Sequence, residues 1–198
     1  MKVANTKIYG LENAIRCSKF PMTTDLDELN SDVTPTVLAL GSCERGTGHD
    51  NFLKGIIVQF DLTFSNKAWV EAERYHWLDF ISSQSTMHRI TKFKFKDQCN
   101  KYVDERIISI VQEIIDEYNS LDLQSRSSAE GKEMYLGILY SVPSGFELTA
   151  GMTTNFQQLK TVYGQRYNHR LPEWREFCKW IKGLEMFEEM CLRGKKDE

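Results

Sequence analysis

Between Gly55 and Phe64 the chain alternates without a break. Ile56, Val58, Phe60, Leu62 and Phe64 fall on one side; Ile57, Gln59, Asp61 and Thr63 fall on the other. A period of two is β-strand geometry, and five large apolar side chains on one face demand a second layer to cover them. The chain has 198 residues, 41% hydrophobic and 12% aromatic, which suffices for such a core. That length suits a single domain over residues 1–198.

Helical spacing dominates after this strand. Ser65 is placed to cap a helix on which Trp69, Ala72, His76 and Phe80 share a stripe, with Glu71 and Arg74 on its flanks. A polar loop is expected from Ser82 to Gln98. Within it, Lys92-Phe93-Lys94-Phe95-Lys96 reads as an edge strand with lysines facing water, or as basic and aromatic residues interleaved for nucleic acid. Tyr102 to Tyr118 is the clearest amphipathic helix, with Val103, Ile107, Ile110, Val111, Ile114 and Tyr118 as its apolar face. A further helical piece runs from Glu133 to Tyr140 and stops near Pro143. Thr153 or Thr154 caps a helix through Leu159, Val162 and Tyr163 to about Arg166. Pro172 opens the last helix, striped by Trp174, Phe177, Cys178, Ile181 and Leu184. Residues 21–47 read mostly as loop, and the tail Arg193–Glu198 as frayed. The sum is an α+β fold: a small, mostly antiparallel sheet packed against several long helices.

A net charge of -3 argues against a general nucleic-acid binder. No apolar run is long enough to span a membrane, and the polar N-terminus is no signal peptide. The five scattered cysteines include no Cys-x-x-Cys pair, so they read as reduced thiols of a cytoplasmic protein and not as a zinc site. No histidine pair has helical metal-ligand spacing, and no nucleophile elbow, phosphate loop or dinucleotide fingerprint is present.

The remaining chemistry is anion and base recognition. Three of the four histidines (His49, His76, His88) lie between Gly48 and Arg89, together with Arg74 and Arg89. Arg74, Arg89 and Arg166 offer guanidinium forks for phosphate or pyrimidine carbonyls. Ser82, Ser83, Gln84 and Ser85 offer donors able to wrap a phosphate. Asn155 at a helix start and Arg166 near its end face one ligand from two sides, unless each arginine is simply solvated surface.

Gly48-His49, the strand, then Arg74-Tyr75-His76 followed by Gln84-Ser85 resemble the flavin-dependent thymidylate synthases. Those enzymes carry Gly-His, a strand, and a helix running into Arg-His-Arg-x-x-Ser-x-Asn-Glu-x-Ser-x-Arg-Tyr. The pattern lies on Gly48 to His76 without a gap and needs one inserted residue before Ser85. A second block, Val142-Pro143 through Thr153-Thr154-Asn155 to Arg166, resembles the family's second nucleotide segment, and Leu171-Pro172-Glu173-Trp174-Arg175 falls on its Ala-Gln-x-Glu-Ile helix. The departures are specific: Tyr75 and His76 replace His-Arg, Ser82-Ser83 replace Asn-Glu, Glu71 replaces a glutamine, and Thr149 and Gln157 replace arginines.

The resemblance implies a homotetramer, with sites shared between subunits, that converts dUMP to dTMP. Methylenetetrahydrofolate supplies the carbon, NADPH the electrons, and FAD relays them. It implies catalytic and nucleotide-holding roles for Arg166 and Arg74, with Glu71, Gln84, Ser85 and Arg89 also binding the nucleotide. His49, Arg74, His76, Ser82 and Asn155 would line the flavin. No metal is implied. Glu71 in place of glutamine would suit an amino-bearing base such as cytosine, so another pyrimidine or another one-carbon product, such as a hydroxymethyl group, is one alternative. A non-catalytic nucleotide binder that has lost flavin chemistry is the other. A compact version of such an enzyme suits a virus of bacteria.

Overall fold

The computed structural model describes residues 1–193; beyond Arg193, the tail expected to fray lies outside the described residues. In chain order the elements are β1 (Lys2–Tyr9), α1 (Leu11–Ser18), α2 (Pro35–Ser42), β2 (Ile57–Ser65), α3 (Asn66–Ala72), β3 (Asp79–Ser83), α4 (Thr86–Arg89), α5 (Phe95–Gln98), α6 (Glu105–Ser120), α7 (Leu123–Ser127), α8 (Ala129–Tyr140), β4 (Glu147–Asn155), α9 (Phe156–Arg166) and α10 (Pro172–Lys182). The four strands form one antiparallel sheet in the order β1-β2-β4-β3. The α+β architecture expected from the sequence is therefore the one observed.

The alternation in β2 does what its period requires. Val58, Phe60, Leu62 and Phe64 are buried, while Ile57, Gln59, Asp61 and Thr63 are only half-buried. The buried face meets α10, whose Trp174, Phe177, Cys178 and Ile181 are all buried. Phe64 sits 5.0 Å from Trp174 and 5.6 Å from Phe177 in edge-to-face contact, a geometry that adds to plain burial. Ser65 ends β2 and caps α3 by accepting from the Ala68 amide, and its own N–H donates to the Glu173 carboxylate at 2.9 Å. A second core, built from Ile90, Phe95, Ile108, Val111, Ile115, Ile138 and Phe146, lies under α6 and α8.

Several local expectations are corrected. Lys92–Lys96 forms no strand: a 3-10 turn over Ile90–Lys92 leads into α5, and Phe93 and Phe95 both pack on Phe146, 5.6 and 5.2 Å away. The aromatic pair follows its hydrophobic partner, not a sheet edge. Helix α3 stops at Ala72, so the Trp69–Phe80 stripe breaks: His76 lies exposed in a turn and Phe80 belongs to edge strand β3. The loop expected from Ser82 to Gln98 is instead the end of β3 followed by α4, a 3-10 turn and α5. Helix α6 begins at Glu105, capped by Asp104, and buries Ile108, Val111 and Ile115, leaving Ile107 and Ile110 exposed. Two apolar registers compete on that helix, and packing against Phe95 and Ile138 selects the one that includes Ile108. Helix α8 starts at Ala129, earlier than expected, because Ser128 caps it through the Gly131 amide. Residues 21–47 include α2, and α9 is capped by Asn155, not by Thr153 or Thr154, which complete β4.

One buried ion pair ties the segment after α2 to α9. Lys160, 3% exposed, donates to Asp50 at 2.7 Å and to the carbonyls of Gly41 (2.8 Å) and Cys43 (2.7 Å), so all three ammonium protons are used. Gly41 has no room for a side chain, since a Cβ there would sit 2.4 Å from the Met190 carbonyl oxygen. Burial works against ionisation of Asp50, but hydrogen bonds from Lys160 and Gln157 and the lysine's charge outweigh it and hold the carboxyl below its ordinary range. Removing one partner of such a pair strands the other charge. Lys160→Met is expected to lower stability by roughly 3–5 kcal/mol in urea denaturation. Adding Asp50→Asn to that variant should recover part of the loss, the coupling expected of neighbours.

Candidate functional site

The segment after α3, the loop before Asp50 and the outer face of α9 enclose a cleft of about 570 Å³. Arg45 and Gly46 come from the loop, Lys54 from the 3-10 turn before β2, and Arg74, Tyr75, His76 and Trp77 from the segment after α3. Gln157, Gln158, Thr161 and Gln165 come from α9. Gln157, Thr161 and Gln165 are spaced by four residues, one polar stripe of a helix. No acidic residue lines this cleft, and among the described residues Arg45, Lys54 and Arg74 are in no ion pair. A smaller pocket of about 270 Å³ adjoins it, lined by Lys54, Ile57, Trp77, Asn155, Gln157 and Gln158. Two connected concavities with three cations outside any ion pair and several amides can accept an anion and polar groups attached to it.

Arg166 lies beneath this surface. Only 4% exposed, it donates from Nε to the Tyr75 hydroxyl at 2.8 Å and from Nη1 to Glu71 Oε2 at 3.0 Å. Its guanidinium also lies over Trp174, 4.8 Å from the ring centroid. Tyr75 in turn donates to Gln165 Oε1 at 2.9 Å, so a hydroxyl bridges the buried arginine to the cleft wall. Glu71 Oε2 also accepts from the Trp174 indole at 3.2 Å, which leaves Oε1 facing Lys67 at 3.7 Å. His169 Nε2 is 2.6 Å from Arg166 Nη1. The Leu171 N–H faces Nδ1 at 3.2 Å, so a donor stands at each ring nitrogen and the surroundings disfavour a doubly protonated ring. Burial first, then the Arg166 charge, push the His169 pKa down, with Glu71 pulling the other way.

Of the residues singled out in the sequence, Arg74, His76 and Asn155 come together around the two pockets, with Arg166 and Glu71 directly behind. Asn155 Oδ1 is committed to capping α9 through the Gln158 amide. His49 is exposed in the loop and lines neither pocket. Ser82, Gln84, Ser85 and Arg89 lie elsewhere. Asp79 pairs with Thr153 and Ser83 with Ala150, which carries β3 away from the Asn155 end of the sheet. Gln84 extends that pairing: its N–H donates to the Thr149 carbonyl and its side-chain oxygen accepts from the Thr149 amide, both at 2.9 Å. Thr149 is six residues from Asn155 along β4, roughly 20 Å at strand rise. Within one chain the expected residues therefore form two separate groups, with His49 in neither.

Sequence reasoning missed Arg45, Lys54, Trp77, Gln158, Thr161, Gln165 and His169. The polar stripe on α9 was a usable signal; the cations come from separate loops and left none. Trp77 is unusual. Its φ of +66° lies in the left-handed region, where a non-glycine residue costs about 1 kcal/mol or more, yet its side chain is 67% exposed. Among the described residues no group of three His, Cys, Asp or Glu side chains could hold a metal ion, and no helix is long and apolar enough to cross a membrane. None of the five cysteines forms a disulfide, and burial pushes the Cys178 thiol up to about 12.

Superposition on solved structures places this chain in a fold class: the fold is that of the flavin-dependent thymidylate synthases. A crystal structure of one such enzyme, ThyX from Helicobacter pylori complexed with FAD and dUMP, superposes with a TM-score of 0.70 at 12% identity, over 96% of both chains. A second ThyX structure from Helicobacter pylori, also with FAD and dUMP, gives the same values. The sequence matches no protein-family model and no curated protein.

Because the folded protein disfavours protonated His169, the contribution of this group is complete above its ordinary pKa of 6.5 and is lost as pH falls below it. His169→Gln should flatten the acid-side decline in melting temperature between about pH 7.5 and pH 5, with Glu71 and Arg166 intact. A decline as steep as the wild type's would place the sensitive group elsewhere.

Proposed function

We propose that this chain is a single flavin-dependent thymidylate synthase-like domain over residues 1–198, transferring a one-carbon unit to C5 of a pyrimidine deoxynucleotide, in the simplest case dUMP to dTMP. The observation that carries the reading is the cleft: three uncompensated cations and a row of amides on a fold shared with an enzyme that binds FAD and dUMP. The donor set fits FAD. Arg45, Lys54 and Arg74 match a pyrophosphate, Gln157, Gln158 and Asn155 match polar ring edges, and two joined pockets match a ligand with two ring systems. The arginine missing from the family's pattern at Gln157 is thus offset by cations from other segments, whereas Thr149 lies along β4 beside Gln84, outside this cleft.

When bound, FAD would supply the relay of electrons from NADPH, with methylenetetrahydrofolate as the carbon donor. The chain's own residues hold and polarise. Arg74 would bind the nucleotide or flavin at the cleft mouth, with His76 and Asn155 beside the flavin. Arg166, fixed by Glu71, Tyr75 and His169, would act from behind Tyr75, holding that hydroxyl and Gln165 in place at the cleft wall against which the pyrimidine would lie. Ser82, Gln84, Ser85 and Arg89 stand too far along the sheet to reach the same ligand. A second copy of the chain would bring them, as in a tetramer with shared sites. Exposed Phe80, Ile81 and Met87 flank this group and would be covered by that contact. A reduced, cytoplasmic setting suits the five thiols.

The direct test incubates purified protein with FAD, methylenetetrahydrofolate, NADPH and either dUMP or dCMP, with products read by mass spectrometry. Formation of dTMP is expected, with Arg74→Ala weakening use of the nucleotide or flavin by roughly 10-fold or more, the scale of one lost charge-assisted hydrogen bond. Product only from dCMP would transfer the activity to the cytosine base, the base that a carboxylate such as Glu71 suits by type. A colourless protein that binds dUMP but not FAD would make it a nucleotide-binding protein without flavin chemistry.

A further inference from the structure

We infer that Trp77 is the stacking platform of this cleft: its indole faces a planar heteroaromatic ring of the ligand and takes over, by ring contact, part of the binding that charged residues provide elsewhere in this fold. The inference rests on the reading of the cleft as a site for a flavin dinucleotide. Three observations meet at this residue. Trp77 lines both the larger cleft and the adjoining pocket, so its ring stands at their junction. It is 67% exposed, and among the described residues its indole has no aromatic, cationic or hydrogen-bonding partner, whereas Trp69, Trp174 and Trp180 each pack on a phenylalanine ring. Its backbone holds a left-handed φ of +66° that glycine would adopt freely. A strained backbone presenting a large, bare aromatic ring to solvent gains nothing from the fold itself. Such strain is characteristic of ligand clamps.

The surroundings specify the ligand. Lys54 and Gln158 line both pockets, and neither side chain has a hydrogen-bonded or ionic partner among the described residues. Arg74 stands three residues before the platform. A ring on Trp77 would therefore have amide and ammonium donors at its edge and a guanidinium within reach of an attached phosphate. That is the chemistry of a heteroaromatic ring with carbonyl or ring-nitrogen acceptors and an anionic tail. In FAD two rings meet this description, the isoalloxazine and the adenine.

The test measures binding of FAD, riboflavin and AMP to the intact chain by isothermal titration, for the wild type and for Trp77→Leu, Trp77→Phe and Trp77→Gly. Leucine keeps the strained backbone and removes the aromatic face, so it should weaken FAD about ten-fold or more, the scale of one stacked base, while phenylalanine retains most of the affinity. Whichever of riboflavin and AMP weakens in parallel identifies the stacked ring. Glycine should weaken binding to the same degree yet leave the melting temperature unchanged or raised, because it relieves the backbone. A fall in melting temperature together with binding would make Trp77 a structural residue and overturn the proposal. FAD binding that is the same in the wild type and Trp77→Leu would overturn the stacking role while leaving the flavin reading standing. Failure of the wild type to bind any of the three would remove both.

Discussion

The pairing of β2 with β4 is the constraint on which the molecule depends. Nine consecutive residue pairs join them, from Ile57–Asn155 to Ser65–Glu147. Each strand runs directly into a helix, and because the strands are antiparallel the helices start from opposite ends of the sheet. Ser65 caps α3 and Asn155 caps α9. Eleven helical residues span roughly 16 Å, enough to carry α9 back along the sheet until Arg166 meets Glu71 on α3. The segment Glu73–Leu78 then runs the other way beside α9 toward the Asn155 end, where β3 begins. The cleft is the space between that returning segment and the polar stripe of α9.

Electrostatics in this region are layered. A buried layer contains Lys160–Asp50 and the Arg166–Glu71–Tyr75–His169 cluster, in which each charge has a partner. Above it lies a surface layer, Arg45, Lys54 and Arg74, whose charges are not compensated. Buried ions left unpaired would cost several kcal/mol each. Surface cations in a shared concavity repel only modestly and gain when an anion enters. The first layer fixes geometry and the second is available to a ligand. Tyr75 connects them: its hydroxyl accepts from Arg166 and donates to Gln165 on the cleft wall.

Much of this was legible in the residues. The alternation of Ile56 to Phe64, the Ser65 cap, the Pro172 start and the Trp174–Ile181 stripe each depend on local spacing and appear as read. Leu184, placed on the same stripe, is buried just beyond the end of α10. Misreadings arose where local spacing permitted two answers. In α6 the apolar sets containing Ile107 and Ile108 were both present, and Phe95 and Ile138 decided between them. The Phe93/Phe95 alternation fitted a strand; its partner, Phe146, lies beyond three intervening helices, and only the second core brings the rings together. Strands β1 and β3 carry little alternation because they lie at the sheet's edges; β4 does alternate, but its buried face mixes Met152 with small Ala150 and polar Thr154, a weaker signal than that of β2.

By itself the sequence determined a half-buried strand, the helices with clear caps and stripes, and the residue types for anion and base recognition. Arg74, His76, Asn155 and Arg166 could be named because their chemistry is intrinsic to their side chains. Only the tertiary structure decided which of them share a site. It brought Arg45, Lys54 and Trp77 from three segments to one cleft, placed Arg166 behind Tyr75, and set Ser82, Gln84, Ser85 and Arg89 a strand's length away. Those outcomes depend on strand register and on where a chain reverses, which are settled by packing between distant residues and leave no trace in local spacing.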